Sequence, residues 1–318
     1  MVVIGGITRL TGSGLSITEW NVIMGAIPPL NEHQWQEAFL KYQQIPQYKL
    51  LNYHFSLEDF KQIFFWEYLH RLIGRLIGVV FLVPFVYFKL RGKLDASMTK
   101  KSLLLFLLGG IQGFLGWFMV KSGLTENTHV SHIRLAIHLV AAFVTFGFTF
   151  WFALDLIYKD SNEHPAPFHS RMKFLLAIVI LQIIYGAFTA GLHAGKIANT
   201  FPTMDGEWIP SGINGMQPGW KNLTDNLLAV QFIHRCLAYL VLILTAILAW
   251  KSTKLDISDS QKKGIRFLSG AVVIQVLLGI MTLLSKAEIS LAATHQAGAF
   301  FVFASVVFLL HRSPGKNA

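Results

Sequence analysis

The sequence is poor in cysteine and in charged side chains, and each shortage excludes a class of protein. Cys236 is the only cysteine in 318 residues, so an intrachain disulfide and a cysteine-based zinc site are both excluded. It lies in an apolar stretch, where a small buried residue is expected. Charged residues make up 14% of the chain, against about 25% in soluble domains. This deficit predicts a protein that faces lipid.

The net charge of +10 is not gathered into one basic patch. The basic residues instead crowd into alternate short loops between apolar stretches, which the positive-inside rule assigns to the cytoplasmic side of a membrane. We therefore expect membrane lipid, and no nucleic acid, as a partner. The loops assigned in this way carry Lys89 and Arg91, Arg171 and Lys173, Lys262 and Arg266, and Arg312.

Seven apolar stretches are each close to the length of about 20 residues that spans a bilayer as a helix. The apolar segment 1–9 is too short to cross, and we interpret it as the end of a truncated first helix. Between them, residues 31–49 predict a short interfacial helix, and Ser56 with Asp59 has the spacing of a helix N-cap. The fold class is therefore all-α and integral to the membrane. The stretches cover 64–88, 102–120, 133–158, 172–193, 227–250, 265–284 and 289–310.

The chain repeats itself. Its second half contains the counterparts of several motifs of the first half, in the same order. This pattern predicts two four-helix halves in tandem, at 1–160 and 161–318, with the same orientation. Glu67-Tyr-Leu-His70-Arg71 matches Gln231-Phe-Ile-His234-Arg235, Gly110-Ile-Gln112 matches Val273-Ile-Gln275, Ala136-Ile-His138 matches Ala293-Thr-His295, and Gly5-Gly-Ile-Thr8 more weakly matches Gly186-Ala-Phe-Thr189.

Four of the twelve histidines, His70, His138, His234 and His295, lie about two helical turns inside their apolar stretches. In each half, the second and fourth helices carry one of them at a matching depth. Two imidazoles that face one another across a bundle suit axial ligation of a heme iron. One such histidine alone would more often hydrogen-bond a neighbouring helix. Four of them, paired in depth and repeated, favour a metal.

A heme is favoured over a bare ion because Glu67 is the only carboxylate within reach in these stretches, so a di-iron site would lack ligands. Arg71, Arg134 and Arg235 lie near the outer helix ends. There they either pair with heme propionates or extend to the membrane interface.

The two halves differ at one position beside the histidines. Glu67 lies three residues before His70 on the same helix face, and Gln231 takes that place in the second half. A carboxylate at membrane depth is costly and usually functional, although it could instead pair with Arg71 at i+4. We therefore predict chemistry in the first half, and an electron-transfer or structural heme in the second.

With these motifs the sequence resembles the heme A synthase family, membrane enzymes that oxidise heme O to heme A. The segment from Gly5 to Trp20 also resembles the first helix and loop of that family, and the absence of a cysteine pair in an outer loop resembles its branch in proteobacteria and mitochondria. The resemblance implies eight transmembrane helices, the first truncated here, in two four-helix bundles with pseudo-twofold symmetry. It also implies successive hydroxylations of a porphyrin methyl group, followed by loss of water to leave a formyl group.

The resemblance further implies a role for each histidine pair. His234 and His295 would hold a heme b cofactor, while His70 and His138 would bracket the substrate heme O, with Glu67 needed for turnover. The expected location is the bacterial cytoplasmic (inner) membrane, rather than the mitochondrial inner membrane, with the heme sites toward the outer face. Heme O synthase and an electron acceptor of unidentified class are candidate partners, and homo-oligomerisation is left open.

Two other functions compete with this interpretation. A diheme b-type electron-transfer protein, such as a quinol oxidoreductase subunit, needs hemes at opposite faces of the membrane, whereas all four histidines here lie toward one face. A transporter built from tandem repeats predicts broken helices near the midplane. Pro84 is the one clear proline inside an apolar stretch, so that pattern is missing.

Overall fold

The computed structural model describes residues 1–20, 24–125, 127–158 and 168–313, and these residues are almost entirely helical or in turns. Seven of the helices are long and apolar enough to cross a membrane, which confirms the seven predicted stretches. Two shorter helices precede them. The helices are α1 (Val2–Leu10), α2 (Glu32–Tyr42), α3 (Leu57–Leu90), α4 (Ala96–Thr125), α5 (His132–Ile157), α6 (His169–Gly191), α7 (Leu227–Ser252), α8 (Asp259–Leu284) and α9 (Ile289–His311).

Side-chain caps set the starts of several long helices. Ser56 and Asp59 form the predicted capping box at the start of α3, in which Oδ2 of Asp59 accepts from the backbone N–H of Ser56 at 2.9 Å. Ser258 and Gln261 form the equivalent box at α8. At α9 the carboxylate of Glu288 accepts from the hydroxyl of Ser290 and from the N–H groups of the first turn, and these hydrogen bonds lower its pKa. Each cap satisfies backbone donors that a helix start would otherwise leave unpaired.

The chain divides into two compact units, Met1–Ala141 and Ala142–Ala318, with the division inside α5. The predicted boundary between residues 160 and 161 lies outside the described residues, so the division into two repeated halves stays a prediction. In the first unit, α3 packs against α1, α2 and α4. In the second unit, α6 packs against α7 and α9, and α8 packs against the same two helices. These four helices therefore form a closed ring.

The interior of the second unit follows helical periodicity. On α6 the side chains of Met172, Leu175, Val179 and Ile183 are buried, and their spacing of three or four residues places them on one helix face. Cys236 is exposed, so the expectation that it is buried was wrong. It lies two residues after His234, and a step of two residues turns a side chain to the opposite side of a helix.

The first loop is folded into an aromatic cluster against the start of α3. Phe39, Tyr42 and Phe60 are buried in this cluster, and α2 is the short helix predicted within 31–49. The Tyr42 hydroxyl donates to Oε1 of Gln47 at 3.0 Å, and burial raises the pKa of Tyr42 to about 12, so this hydroxyl keeps its proton at neutral pH. Nε2 of Gln47 in turn donates to the carbonyl of Gly12 at 3.0 Å. The cluster thereby holds the segment after α1 in place beside α3.

Candidate functional site

Each of the four predicted histidines packs against a glycine of a neighbouring helix. A side chain of even one carbon at these glycines would press on an imidazole, so the glycines let the helix backbones approach the rings. A Cβ atom would lie 3.0 Å from Nε2 of His70 at Gly5, 3.2 Å from Cε1 of His138 at Gly116, 3.3 Å from Cε1 of His234 at Gly186, and 2.9 Å from Cε1 of His295 at Gly279.

The predicted partners of each pair lie in the same compact unit. His70 on α3 and His138 on α5 belong to the first unit, and His234 on α7 and His295 on α9 belong to the second. That each pair shares one iron stays a prediction. Two neutral imidazoles in an apolar surrounding form a donor set that suits the two axial positions of a heme iron. Among the described residues, no group of three or more His, Cys, Asp or Glu side chains could hold a bare metal ion.

The second site leaves room for its imidazoles where any side chain would crowd them. A Cβ atom at Gly186 or Gly279 would press on His234 or His295, and two such imidazoles suit the iron of a heme. The residues of this site therefore fit a heme.

A glutamine on α4 and another on α8 reach the helix that carries the partner histidine. Nε2 of Gln112 donates to the backbone carbonyl of His138 at 3.1 Å and lies 3.2 Å from Nδ1 of the same residue. Nε2 of Gln275 donates to the carbonyl of His295 at 2.9 Å. The repeat Gly-Ile-Gln and Val-Ile-Gln in the sequence therefore corresponds to two equivalent contacts.

Glu67 is buried, with 3% of its surface exposed, and its carboxylate accepts from three donors among the described residues. Oε2 accepts from the hydroxyl of Ser16 at 2.7 Å and from the backbone N–H of Ile17 at 2.8 Å. Oε1 accepts from Nη2 of Arg71 at 2.6 Å. The pairing with Arg71 was one of the two predicted roles of Glu67. Because all of these groups donate, they complement the two oxygens of a carboxylate side chain.

Gln231 takes the place of Glu67 in the second unit, and its surroundings have the opposite polarity. Its Nε2 donates to the backbone carbonyls of Ala194 and Ile197, at 2.8 and 2.7 Å. Its Oε1 accepts from Nη2 of Arg235 at 3.0 Å. The loop after α6 presents acceptors where the loop after α1 presents donors. Glutamate therefore matches a loop that presents hydrogen-bond donors, and glutamine matches a loop that presents acceptors.

Two of the three predicted arginines bind backbone carbonyls of the loops that follow α1 and α6. Arg71 donates from Nη2 to the carbonyl of Ile17 and from Nη1 to that of Glu19, each at 2.9 Å. Arg235 donates from Nη2 to the carbonyl of Ala198 at 2.7 Å. Both guanidinium groups therefore anchor a loop backbone. Pairing of either group with a heme propionate stays a prediction.

Arg134 occupies a different setting. Its Nη1 donates to the carbonyl of Phe118 at 2.8 Å, and its guanidinium lies over the ring of that residue, 3.9 Å from the centroid. Arg134 is four residues before His138 on α5, so it shares a helix face with that histidine. The guanidinium thus lies on the wall of the first site, between α4 and α5.

Comparison with known proteins decides the family. The family model described as COX15-CtaA, cytochrome oxidase assembly protein, matches residues 1–307. The chain belongs to this family. Curated relatives named heme A synthase are 48% identical in Flavobacterium johnsoniae and 47% identical in Flavobacterium psychrophilum, and each alignment covers 98% of this chain and 93% of the relative. A third, from Rhodospirillum centenum, is 48% identical over 98% of this chain and 84% of the relative.

Sequence reasoning selected the four histidines and Glu67 as candidates, and their roles stay predictions, but it missed the residues that contact them. Ser16 and Ile17 gave no signal because only the folded loop brings them to Glu67. The glycines did give a signal. Gly5 and Gly186 are the matching glycines of one repeated motif, and small residues at the interfaces of membrane helices allow close approach.

We predict that Gln231→Glu destabilises the second unit. A carboxylate there would face the carbonyls of Ala194 and Ile197 without a proton to donate, and each unsatisfied buried group costs about 1–3 kcal/mol. The measurement is the thermal unfolding midpoint of the purified protein in detergent. Gln231→Met, which removes the amide without adding charge, is the control and should be less harmful. An unchanged midpoint in Gln231→Glu would contradict the assigned polarity.

We also predict that Gly279→Ala weakens heme binding by the second pair. The added methyl would lie 2.9 Å from Cε1 of His295, so the ring must move. Gly270→Ala, on the same helix, is a matched control because a Cβ there meets nothing within 4 Å. Heme content per purified protein is the measurement. Equal heme content in the two variants would show that the glycine contact does not set the ring position.

Proposed function

We propose that this chain converts heme O to heme A by oxidising one porphyrin methyl group to a formyl group. The observation that carries the proposal is a buried carboxylate beside one histidine pair and a glutamine at the same place beside the other. The relatives named heme A synthase align along nearly the whole chain, which supports the same reaction here.

In this proposal one histidine pair binds the cofactor and the other binds the substrate. His234 and His295 hold heme b, and His70 and His138 bracket the substrate heme O. The iron of a bound heme supplies the oxidising chemistry for methyl C–H cleavage that amino-acid side chains lack. The glycines beside the four rings hold each imidazole at a set distance from its helix neighbour.

Glu67 is the group that accepts or relays protons as the methyl group is oxidised. A catalytic base must be held in position, and the donors from Ser16, Ile17 and Arg71 orient this carboxylate. Gln231 cannot take this role because an amide does not accept a proton at neutral pH. The chemistry is therefore assigned to the first pair.

Arg71 and Arg235 anchor the outer loops that cover the two sites, and Arg134 lies on the wall of the first. We assign these three arginines to the propionate end of the hemes, since guanidinium groups pair well with carboxylates. Each guanidinium group would keep its present backbone contact through one nitrogen and donate to a heme propionate from another nitrogen.

The full arrangement proposed is eight transmembrane helices in two tandem four-helix bundles with pseudo-twofold symmetry, at 1–160 and 161–318. The apolar helices and the bacterial relatives make this a bacterial membrane protein. The basic loops support a location in the cytoplasmic membrane with the histidine pairs toward the outer face. A homo-oligomer, heme O synthase and an electron acceptor are its candidate partners.

The test is reconstitution with defined heme. Purified protein that carries heme b is supplied in detergent with heme O, a reductant and oxygen. The porphyrins are then extracted, separated and identified by mass spectrometry. Formation of a formyl-bearing product supports the proposal. If the His70→Ala variant forms the same product, the first histidine pair does not bind the substrate. The diheme electron carrier, which would leave heme O unchanged, is not favoured by the relatives named heme A synthase.

A further inference from the structure

A cavity of about 220 Å³ lies beside Glu67 in the first unit. The three residues that donate to the Glu67 carboxylate, Ser16, Ile17 and Arg71, all line this cavity. A water molecule occupies about 30 Å³ in the liquid and needs two to four polar partners to be held inside a protein. The cavity is therefore large enough for several waters, and one layer of residues separates it from the carboxylate.

The cavity also reaches the surface of the first loop. Glu19 and, on α2, Glu37 and Lys41 line it there, and the side chains of all three are exposed. Nζ of Lys41 pairs with Oε1 of Glu19 at 2.9 Å and with Oε1 of Glu37 at 3.0 Å. The cavity thus leads from the contacts of a buried carboxylate to charged groups in water.

The three donors to Glu67 differ in what else they can do. The backbone N–H of Ile17 and the guanidinium of Arg71 only donate, whereas the hydroxyl of Ser16 donates and accepts at the same time. The Ser16 hydroxyl lies 2.7 Å from Oε2 of Glu67, and its next acceptor, the carbonyl of Ile63, is 3.5 Å away. Ser16 is therefore the one contact of the carboxylate that can accept a hydrogen bond from water while it donates to Glu67.

We propose that Ser16 relays protons between Glu67 and water in this cavity. The inference rests on the proposed function and adds the route by which Glu67 is restored after each proton it takes up. The proton on Glu67 passes to the hydroxyl oxygen of Ser16, while the hydroxyl's own proton passes to a cavity water. One O–H bond forms and one breaks at Ser16, no electron moves, and the carboxylate is regenerated.

The charged groups at the mouth are not steps of this path. Water carries the proton past Glu37 and Lys41, so removing one of these charges leaves the route open. Ser16 is different, because no other contact of Glu67 among the described residues can both accept and donate a proton.

The experiment compares the rate of formyl product by the heme-loaded, full-length protein in H2O and in D2O. Ser16→Ala removes the hydroxyl, while Ile17 and Arg71 still orient the carboxylate. General acid–base groups contribute about 100-fold or more to rate, so loss of proton exchange should slow turnover by at least about 10-fold. The solvent isotope effect should rise, because proton transfer then limits the rate. Ser16→Thr keeps a hydroxyl and should restore both values.

A second serine of the same segment provides the matched control. Ser13 is also buried, but its hydroxyl bonds to that of Thr11 at 2.7 Å, and it is not among the described residues that line the cavity. Ser13→Ala should keep the parent rate and isotope effect. A change of packing alone would lower the rate without raising the isotope effect.

A second measurement tests the cavity without turnover. Cys236 is exposed, so it is first replaced by serine, and Ser16→Cys and Ser13→Cys are then compared for reaction with a charged, water-soluble thiol reagent. Ser16→Cys should react faster because this position lines the cavity. Ala38→Leu narrows the cavity from α2 and should slow the reaction, whereas Gln36→Leu, at an exposed position of the same helix, should not.

Equal rates and isotope effects in Ser16→Ala and Ser13→Ala would overturn the relay. Equal reaction of the two cysteine variants with the reagent would overturn the cavity as its route. Absence of formyl product from the unaltered protein would instead count against the proposed function, and the thiol reaction would still test the cavity.

Discussion

Replacing Glu67 with Gln is expected to stop formation of the formyl product while both histidine pairs still bind heme. The amide has the same shape, so its oxygen still accepts from Ser16 and Ile17, and the loop after α1 stays in place. What is lost is the negative charge and the capacity to take up a proton. General acid–base groups contribute about 100-fold to 10,000-fold to rate, so turnover should fall by at least the lower figure.

The remaining partners of Arg71 make this substitution tolerable. Its guanidinium keeps the carbonyls of Ile17 and Glu19, although it loses a charged partner at 2.6 Å. Breaking a buried ion pair costs about 3–5 kcal/mol, and the retained bonds should reduce this. Glu37→Gln is the control, since it removes an exposed acid that pairs with Lys41 and should keep full activity. Full product formation by Glu67→Gln would remove this residue from the mechanism.

Replacing His295 with Ala is expected to remove the resident heme from the purified protein. One axial ligand is lost, and the partner His234 is left alone in an apolar site. We expect an affinity loss of more than the roughly 100-fold seen when only a supporting contact of a ligand is removed. The visible absorption spectrum of the protein as purified reports the change directly, and heme A formation should stop with it.

A second histidine on the same helix provides the control for this prediction. His311 lies at the end of α9, where its Nε2 is 3.0 Å from Oδ1 of Asp155, away from the glycine that contacts His295. His311→Ala should keep its heme. A protein that loses heme in both variants would point to a general failure of α9 to pack, and heme retained in His295→Ala would contradict the assigned ligand.

The long helices and the four histidines could be predicted from the sequence because each leaves a local mark. A helix that crosses a membrane needs a long apolar stretch, and a histidine inside such a stretch is unusual enough to be noticed. The repeat strengthened both signals, since one motif appearing twice in the same order is hard to attribute to chance. The capping box at Ser56 is equally local, as its two residues are three apart.

The surroundings of Glu67 and Gln231 could not be predicted, because they depend on the path of distant loops. The loop after α1 turns a hydroxyl and an N–H group toward Glu67, and the loop after α6 turns two carbonyls toward Gln231. The spacing of residues in the sequence does not predict which loop groups point toward Glu67 or Gln231. Pairing with Arg71 was foreseeable at i+4, whereas its further bonds to Ile17 and Glu19 were not.

The measurement that tests the central claim most directly is the mass of heme extracted from membranes that contain heme O with and without this protein. Conversion of a methyl to a formyl group adds one oxygen atom and removes two hydrogen atoms. We expect that product only where the unaltered protein is present, and its loss with Glu67→Gln despite bound heme. Heme O recovered unchanged from membranes that hold the folded, heme-loaded protein would contradict the account.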